Sequence, residues 1–213
     1  VGFSLQYELS YPTVLKMLKM SGITIRNTER KENEPIVFAG GPCTFNPLPM
    51  RDFIDVFTIG DGEEMMVDVC EVLERTKGKP RKERIAELSK IKGCWAKGYN
   101  ETVEKRLSPL TLENASTSYP IPFSSSVHDR AIVEIRRGCG RMCRFCQPGH
   151  VTLPVREREA EDIIEITKDL VNNTGYEEYS LLSLSSNDYS KIKYLELDKM
   201  MNKEINDYKS SLI

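Results

Sequence analysis

Short apolar runs that alternate with helical patterns are the feature that most strongly constrains the fold of the first half of the chain. One run, at 36–39, leads into Gly40-Gly41, and another, at 55–59, leads into Gly60-Asp61-Gly62. Helical periodicity follows over 63–76, with acidic residues at the start that suit the helix dipole. Strands that exit through glycines and alternate with helices predict a parallel sheet covered by helices, which is an α/β fold.

The other elements of this half are predicted from proline, glycine and apolar spacing. They are a strand over 2–6, a helix that begins at Ser10-Tyr11-Pro12 and ends near Gly22, a helix over 81–91, and a hairpin of 94–97 with 102–105. The helix over 63–76 is expected to bury an apolar stripe made of Met66, Val67, Val69, Cys70 and Leu73.

A change of composition at Ser108 predicts a division into two domains. The stretch 108–128 is rich in Ser, Thr, Pro and Asn, which is typical of a linker between domain 1–107 and domain 129–213. After it the alternation resumes with a strand over 131–136, a helix over 159–172, a strand over 179–184 and a helix over 191–209. This order predicts the start of a second βα array.

Three cysteines follow the first strand of that second array at the spacing C-x3-C-x2-C. Cys139, Cys143 and Cys146 lie within eight residues, so one short loop can deliver three thiolates to three corners of a cubic iron–sulfur cluster. The fourth iron is then open to a substrate or cosubstrate. A structural zinc ion needs four protein ligands, and His150 supplies a fourth for the alternative three-cysteine, one-histidine site.

Four arginines surround this loop, and they have two interpretations. As cations they would stabilise an anionic cluster, or they form an ordinary solvated surface. Gly138 and Gly140 are expected to let the backbone turn around the inorganic sulfide. The four arginines are Arg136, Arg137, Arg141 and Arg144.

The remaining cysteines and the net charge limit which cellular compartment and which kinds of binding partner the sequence predicts. Cys43, Cys70 and Cys94 are scattered, so we predict buried thiols rather than a disulfide framework, and a cytoplasmic location. The formal net charge of −2 offers no argument for nucleic acid or for an anionic membrane surface, and no apolar run is long enough to span a bilayer.

The cysteine loop, with Phe145 just before its last cysteine, resembles the signature of radical S-adenosylmethionine (radical SAM) enzymes. The wider stretch 134–150 resembles bacterial members that carry a cobalamin-binding domain in front of the barrel. The resemblance implies a partial Rossmann-like domain followed by the first βα units of a partial TIM-type barrel. It also implies that the three cysteines ligate a [4Fe–4S] cluster that reductively cleaves S-adenosylmethionine (SAM), using a reducing donor such as flavodoxin or ferredoxin.

The same resemblance nominates further cofactor contacts in the second domain. Phe145 is expected near the adenine or the cluster. Where these enzymes carry a Gly-Gly-Glu-like turn, this chain has 183–188, so Ser185 and Ser186 become candidates for the methionine part of SAM. Capping of a strand end by serine and asparagine explains that segment equally well.

In the first domain the resemblance points to three loops near a corrin or its nucleotide tail. Glycine lets a backbone approach a ligand closely, but plain strand-to-helix turns explain such glycines more simply. Cobalamin is therefore a third cofactor whose binding and use stay open. The loops are Ser4-Leu5, Gly40-Gly41 and Gly60-Asp61-Gly62.

The resemblance extends over nearly the whole chain but only parts of each domain. The family's Asp-x-His-x-x-Gly loop is absent, and a full barrel has more βα units than the sequence shows. We therefore expect a piece of a longer enzyme, inactive by itself. Two alternatives stay open: a non-catalytic zinc- or cluster-binding interaction module, and a cobalamin carrier domain with an inactive enzyme remnant. The substrate is not predicted.

Overall fold

The computed structural model describes residues 1–124 and 129–190 and divides the chain into two compact units. The first is Val1–Ser108 and the second begins at Pro109. The predicted helix over 191–209 and the end of the predicted linker, 125–128, lie outside the described residues. Within the described ranges, no helix is long and apolar enough to cross a membrane.

The first unit is built on a four-stranded sheet in the order β1-β2-β3-β4. Strands β1 (Gly2–Ser4), β2 (Phe38–Gly40) and β3 (Val56–Thr58) are parallel, as predicted, and β4 (Cys94–Trp95) is antiparallel to β3. Here the predicted hairpin is wrong. Phe57 pairs with Trp95, and no strand is described at 102–105, because the fully buried Cys94 extends the sheet instead of forming a separate ribbon.

Helices cover both faces of this sheet, since successive strand residues alternate between two apolar cores. Val37 and Ala39 pack with helix α1 (Tyr11–Met20), while Ile36 and Phe38 lie in the core of helices α2 (Glu63–Arg75) and α3 (Arg81–Leu88). Such alternation is the two-residue period of a strand that is buried on both sides. Together with the parallel pairing it confirms the predicted α/β class.

The buried stripe of α2 matches the predicted one only in part: Val69 is buried as predicted, and Leu73 packs partly buried against the same core. Met65, Val69 and Val72 are buried, whereas Met66, Val67 and Cys70 are exposed. Residues four and three apart share a helix face, and each single step turns that face by about 100°. The sheet selects the stripe that starts at Met65, so the prediction of a buried Cys70 is wrong, while Cys43 and Cys94 are buried as predicted.

A buried charge cluster holds the start of β3, and the sequence pattern did not indicate it. The Asp55 carboxylate accepts hydrogen bonds from Arg30 Nη1 at 2.7 Å, from Arg81 Nη2 at 2.5 Å and from the Val37 backbone N–H at 2.7 Å, all through Oδ2. The three charged side chains are almost completely buried. Because an unpaired charge is costly inside a protein, each member of this cluster requires the others.

The second unit contains a parallel strand pair joined through a helix. Strand β5 (Ala131–Glu134) is followed by β6 (Arg136–Arg137), helix α4 (Gln147–Val151), β7 (Arg156–Glu157), helix α5 (Ala160–Thr174) and β8 (Tyr179–Leu182). Strands β5 and β8 pair in parallel, whereas β6 and β7 form an antiparallel ribbon.

The predicted strand over 131–136 is therefore split, and α4 and β7 are additions that sequence periodicity did not indicate. Helix α5 buries its apolar face against β5, where Ile163 and Leu170 lie in one core with Val133. It ends at Gly175, which has a φ of 73° and lies in the left-handed region. This β5–α5–β8 arrangement is the βαβ unit predicted from the order of elements.

Candidate functional site

The cysteine loop lies at the carboxyl edge of the β5–β8 pair. It leaves the ribbon strand β6 and ends at α4, while the segment 183–188 leaves β8 at the same edge. Because parallel strands end on the same side of a sheet, the structure brings the cysteine loop and the predicted SAM-contacting serines to one place. Ligands of open α/β sheets bind at this edge.

The three loop cysteines are partly exposed, and none of the six cysteines, all within the described residues, forms a disulfide. Cys139, Cys143 and Cys146 therefore offer free thiols that a ligand can reach. Among the residues that the structure describes, no group of three or more His, Cys, Asp or Glu side chains is gathered around a point that could hold a metal ion. Cluster ligation by these three residues remains a prediction, one that the chemistry of the donor set fits.

Backbone geometry shapes the loop at two points. Gly138 has a φ of 86°, and a Cβ there would lie 2.9 Å from the Thr152 carbonyl oxygen and 3.0 Å from that of Pro154. A side chain at position 138 would therefore clash with the chain at 152–155, whereas a Cβ on Gly140 would meet Val155 Cγ2 only at 3.9 Å, an ordinary contact. Met142, at φ 50°, is the one non-glycine residue of the described ranges with a positive φ, a conformation that is uncommon and recurs at functional sites.

His150 contacts the cysteine loop through one of its ring nitrogens. Its Nε2 lies 3.2 Å from the backbone carbonyl oxygen of Cys143, in hydrogen-bond contact. Donation by Nε2 leaves Nδ1 available, and histidines that ligate a metal commonly donate their other ring N–H to a carbonyl. The contact therefore ties His150 to the loop backbone and leaves the zinc alternative open.

Three of the four arginines around the loop are already paired with carboxylates. Arg136 Nε lies 3.2 Å from Glu157 Oε1, and Arg137 Nε lies 2.9 Å from Glu134 Oε1. Arg141 pairs with Asp188 through two contacts. A compensated arginine adds little net charge next to a cluster, and the buried Arg136 is not part of a solvated surface. Stabilisation of a cluster by these arginines stays a prediction. Arg144 is exposed and makes no ion pair within the described part of the chain.

The serine segment after β8 forms a closed hydrogen-bonded turn. Ser183 Oγ and Ser186 Oγ are 3.0 Å apart, and Ser185 Oγ donates to Asp188 Oδ2 at 2.7 Å. The Ser185 carbonyl oxygen accepts a hydrogen bond from Arg136 Nη1 at 3.1 Å. Both candidate serines therefore use their hydroxyls within the turn, which is the strand-end capping that the sequence left open.

Asp188 is the site residue that the sequence analysis missed. Its carboxylate receives the Arg141 guanidinium and the Ser185 hydroxyl, and the Arg141 contact is the main reason that its pKa is lowered to about 2. The only sequence signal was an acidic residue three positions after a serine in a turn. Phe145, in contrast, is 92% exposed, so its ring is available to a ligand, and its predicted role stays a prediction.

In the first unit, the predicted glycines lie at the carboxyl edge of β1–β3 but face the protein's own backbone. A Cβ on Gly41, whose φ is 97°, would lie 2.8 Å from the Leu5 carbonyl oxygen. A Cβ on Gly60 would lie 2.0 Å from the Arg106 carbonyl oxygen, and one on Gly40 would lie 2.8 Å from Thr58 Oγ1. Close packing of the chain against itself explains these three glycines, so they carry no argument for a corrin.

The other first-unit candidates sit at the same edge. Ser4 Oγ accepts a hydrogen bond from Gln6 Nε2, and Asp61 Oδ2 accepts one from the Ser108 backbone N–H at 2.8 Å. Gly62 precedes α2 with an ordinary φ of −93°, and a Cβ there would meet Met66 Cγ only at 3.9 Å, an ordinary contact. Of the four predicted glycines of the first unit, Gly62 is therefore the least crowded.

Comparison with protein families finds a similarity in the first part of the chain. The family described as "Radical SAM proteins, N-terminal" matches residues 1–96. Over these residues, which are less than half of the chain, the sequence is similar to that family. The match confirms the resemblance that began at the cysteine loop, and it does so through a separate part of the sequence.

Relatives extend the likeness along the chain. The uncharacterized protein MJ0966 of Methanocaldococcus jannaschii is 28% identical over 198 residues, which cover 90% of this chain and 39% of that protein. A tRNA-2-methylthio-N(6)-dimethylallyladenosine synthase of Clostridium novyi is 34% identical over 88 residues, covering 39% of this chain and 19% of the synthase. The chain thus spans about two fifths of the first relative and a fifth of the second.

A solved structure shares the fold. It is the radical SAM methyltransferase TsrM from Kitasatospora setae, with cobalamin and a [4Fe–4S] cluster bound, at a TM-score of 0.57 and 12% identity over 99% of this chain and 41% of TsrM. The likeness confirms the fold expectation of an α/β domain followed by early βα units. At this identity it shows the fold alone.

Proposed function

We propose that Cys139, Cys143 and Cys146 hold a [4Fe–4S] cluster in a radical SAM enzyme. The observation that carries the proposal is three accessible thiols in one loop at the carboxyl edge of the β5–β8 pair. The radical SAM match over residues 1–96 supports it from outside the loop. When bound, the cluster would supply the electron that cleaves SAM.

The chain's own residues would shape and orient this site. Gly138 lets the loop pass against the chain at 152–155, and His150 holds the Cys143 carbonyl. Backbone N–H groups of the loop are available to donate to cluster sulfur, which tunes the reduction potential. Phe145 offers an exposed ring for the adenine, and the backbone of the Ser183–Ser186 turn offers hydrogen bonds for the methionine end.

Cobalamin is proposed for the first unit on a different ground. Its support is the shared fold with TsrM, which binds cobalamin in the solved structure. The space beside Gly40, Gly41 and Gly60 is filled by the protein's own atoms, so these glycines would not admit a corrin, and Gly62 is the less crowded candidate. A reducing protein such as flavodoxin or ferredoxin is proposed as electron donor.

The substrate is not proposed, because the named relatives differ. One relative is named for a tRNA modification, while TsrM has been solved with a tryptophan substrate. A tRNA and a free amino acid are unlike molecules, so the two names indicate no common substrate class. The proposal therefore ends at the reductive cleavage of SAM.

Anaerobic reconstitution tests the proposal. The chain should take up about four irons and four sulfides and turn brown, and the variant with all three loop cysteines changed to alanine should not. Cys70→Ala is the matched control, because Cys70 is an accessible thiol outside the loop. One bound zinc without colour would favour the interaction module. Cobalamin binding that survives the triple substitution, with no iron uptake by the unaltered chain, would favour the carrier domain.

A further inference from the structure

Two contacts tie the cysteine loop to the segment that leaves β8. Arg141 Nε donates to Asp188 Oδ2 at 2.7 Å, and Arg141 Nη2 donates to Asp188 Oδ1 at 2.6 Å. This is the bidentate geometry in which a guanidinium fork matches both oxygens of a carboxylate. The two residues are 47 positions apart in the sequence, so the pair connects two loops rather than neighbours on one element.

The Asp188 carboxylate is also held in place by a residue of its own turn. Ser185 Oγ donates to Asp188 Oδ2 at 2.7 Å, and the Ser185 carbonyl accepts from Arg136 Nη1 at 3.1 Å. Arg136 precedes the cysteine loop and Arg141 lies within it. Cys139 is thus bracketed by two arginines that both reach the same turn after β8.

The loop needs such a tether, because part of its backbone is unfavourable. Met142, next to Arg141, has a φ of 50°, and a residue in a sparsely populated region persists only when its surroundings fix it. Arg141 and Met142 are both largely exposed, so packing does little to fix this part of the loop. The bidentate pair reaches this point from the segment after β8, and the His150 contact with the Cys143 carbonyl reaches it from α4.

We propose that Asp188 is a positioning residue: through Arg141 it holds the cysteine loop against the exit of β8, in the arrangement that retains the cluster. The proposal rests on the proposed function. It assigns Arg141 a geometric task, not the task of neutralising cluster charge. The two accounts predict opposite results for one substitution, which makes them separable.

That substitution is Asp188→Asn. It leaves the Arg141 charge in place and removes its carboxylate partner. If Arg141 acts by charge, the uncompensated cation should hold an anionic cluster as well or better. If the pair positions the loop, the reconstituted variant should release iron to a chelator about tenfold faster, since partners that orient metal ligands typically affect affinity by that order.

Two further variants complete the set. Arg141→Lys keeps the charge but loses the planar fork, so it should also release iron faster. Arg144→Gln is the matched control, because it removes a cation from the same loop at a side chain with no ion pair in the described ranges. It should release iron as slowly as the unaltered chain.

Hydrogen exchange of the cluster-free protein supplies a readout that needs no iron. Amides of the loop over 139–146 should exchange faster in Asp188→Asn and in Arg141→Lys. In Arg144→Gln their exchange rates should equal those of the unaltered chain. Unaltered exchange together with unaltered iron release in Asp188→Asn overturns the positioning role. If the unaltered chain takes up no iron, the proposed function fails with the cluster part of this inference, and the exchange data still decide whether the pair holds the loop.

Discussion

Substitution of Asp55 by asparagine should remove a large part of the free energy that stabilises the first unit against unfolding. Asp55 Oδ2 is the common acceptor for Arg30, Arg81 and the Val37 backbone N–H, and its side chain is 1% exposed. Asparagine has nearly the same shape and keeps one oxygen acceptor. The change therefore removes mainly the negative charge, and it leaves two buried guanidinium groups without their common counter-charge.

The expected cost follows from that burial. Removing one partner of a buried ion pair costs about 3–5 kcal/mol, because the remaining charge stays uncompensated away from water. Domains of this size are stable by only about 5–15 kcal/mol. At roughly 4–8 °C per kcal/mol, the midpoint of thermal unfolding should fall by about 12–40 °C.

The assay can follow the first unit alone. The chain has a single tryptophan, Trp95, which lies in β4 against Phe57 at 5.6 Å between ring centroids. Its fluorescence therefore reports the unfolding of this sheet and not of the second unit. Urea titrations at constant pH give the change in free energy directly.

Asp52→Asn is the matched control for this experiment. Asp52 makes its ion pair with Lys97 at 2.6 Å, with both side chains more than 40% exposed. Exposed pairs contribute little, so the unfolding midpoint should barely move. The reasoning fails if Asp55→Asn stays within about 1 kcal/mol of the unaltered chain, since the buried pair would then behave like an exposed one.

Two more predictions concern acid stability and glycine geometry. Hydrogen bonds from the backbone N–H groups of Lys31 and Thr24 lower the Glu34 pKa from 4.5 to about 2. Its stabilising contribution is therefore complete above pH 4.5 and lost as pH falls through 2, so urea midpoints of Glu34→Gln should vary less with pH over that window. Gly60→Ala should destabilise by about 3 kcal/mol or more, because its Cβ meets backbone, while Gly78→Ala, at a φ of 84° but with open space, should cost only about 1–2 kcal/mol in urea unfolding.

The alternation of elements was predictable because local patterns record it. Pro12 at the start of α1 and Gly22 just past its end mark that helix within a residue or two. The buried face of α2 was harder to predict from the sequence. Its apolar residues cover more than one face, and only the position of the sheet decides that Met65 rather than Met66 turns inward.

The candidate site likewise has features that the sequence predicts and features that only the structure shows. The spacing of Cys139, Cys143 and Cys146 identifies the thiol loop and its chemistry without any coordinates. Asp188 could not be identified from the sequence in this way, because its proposed role depends on a contact with a residue 47 positions away. The reason for Gly41 and Gly60 was likewise hidden, since the atoms that exclude a side chain there belong to Leu5 and Arg106.

Sequence alone determined the α/β class, most of the alternation of strands and helices, and the place of three thiols in one short loop. These features depend on residue type and on spacing over a few positions, which the chain carries in itself. Only the tertiary structure decided which arginines are compensated, which glycines are filled by backbone and how Asp55 binds two buried guanidinium groups. Those outcomes depend on which distant segments share a volume from which water is excluded, and local pattern does not encode that.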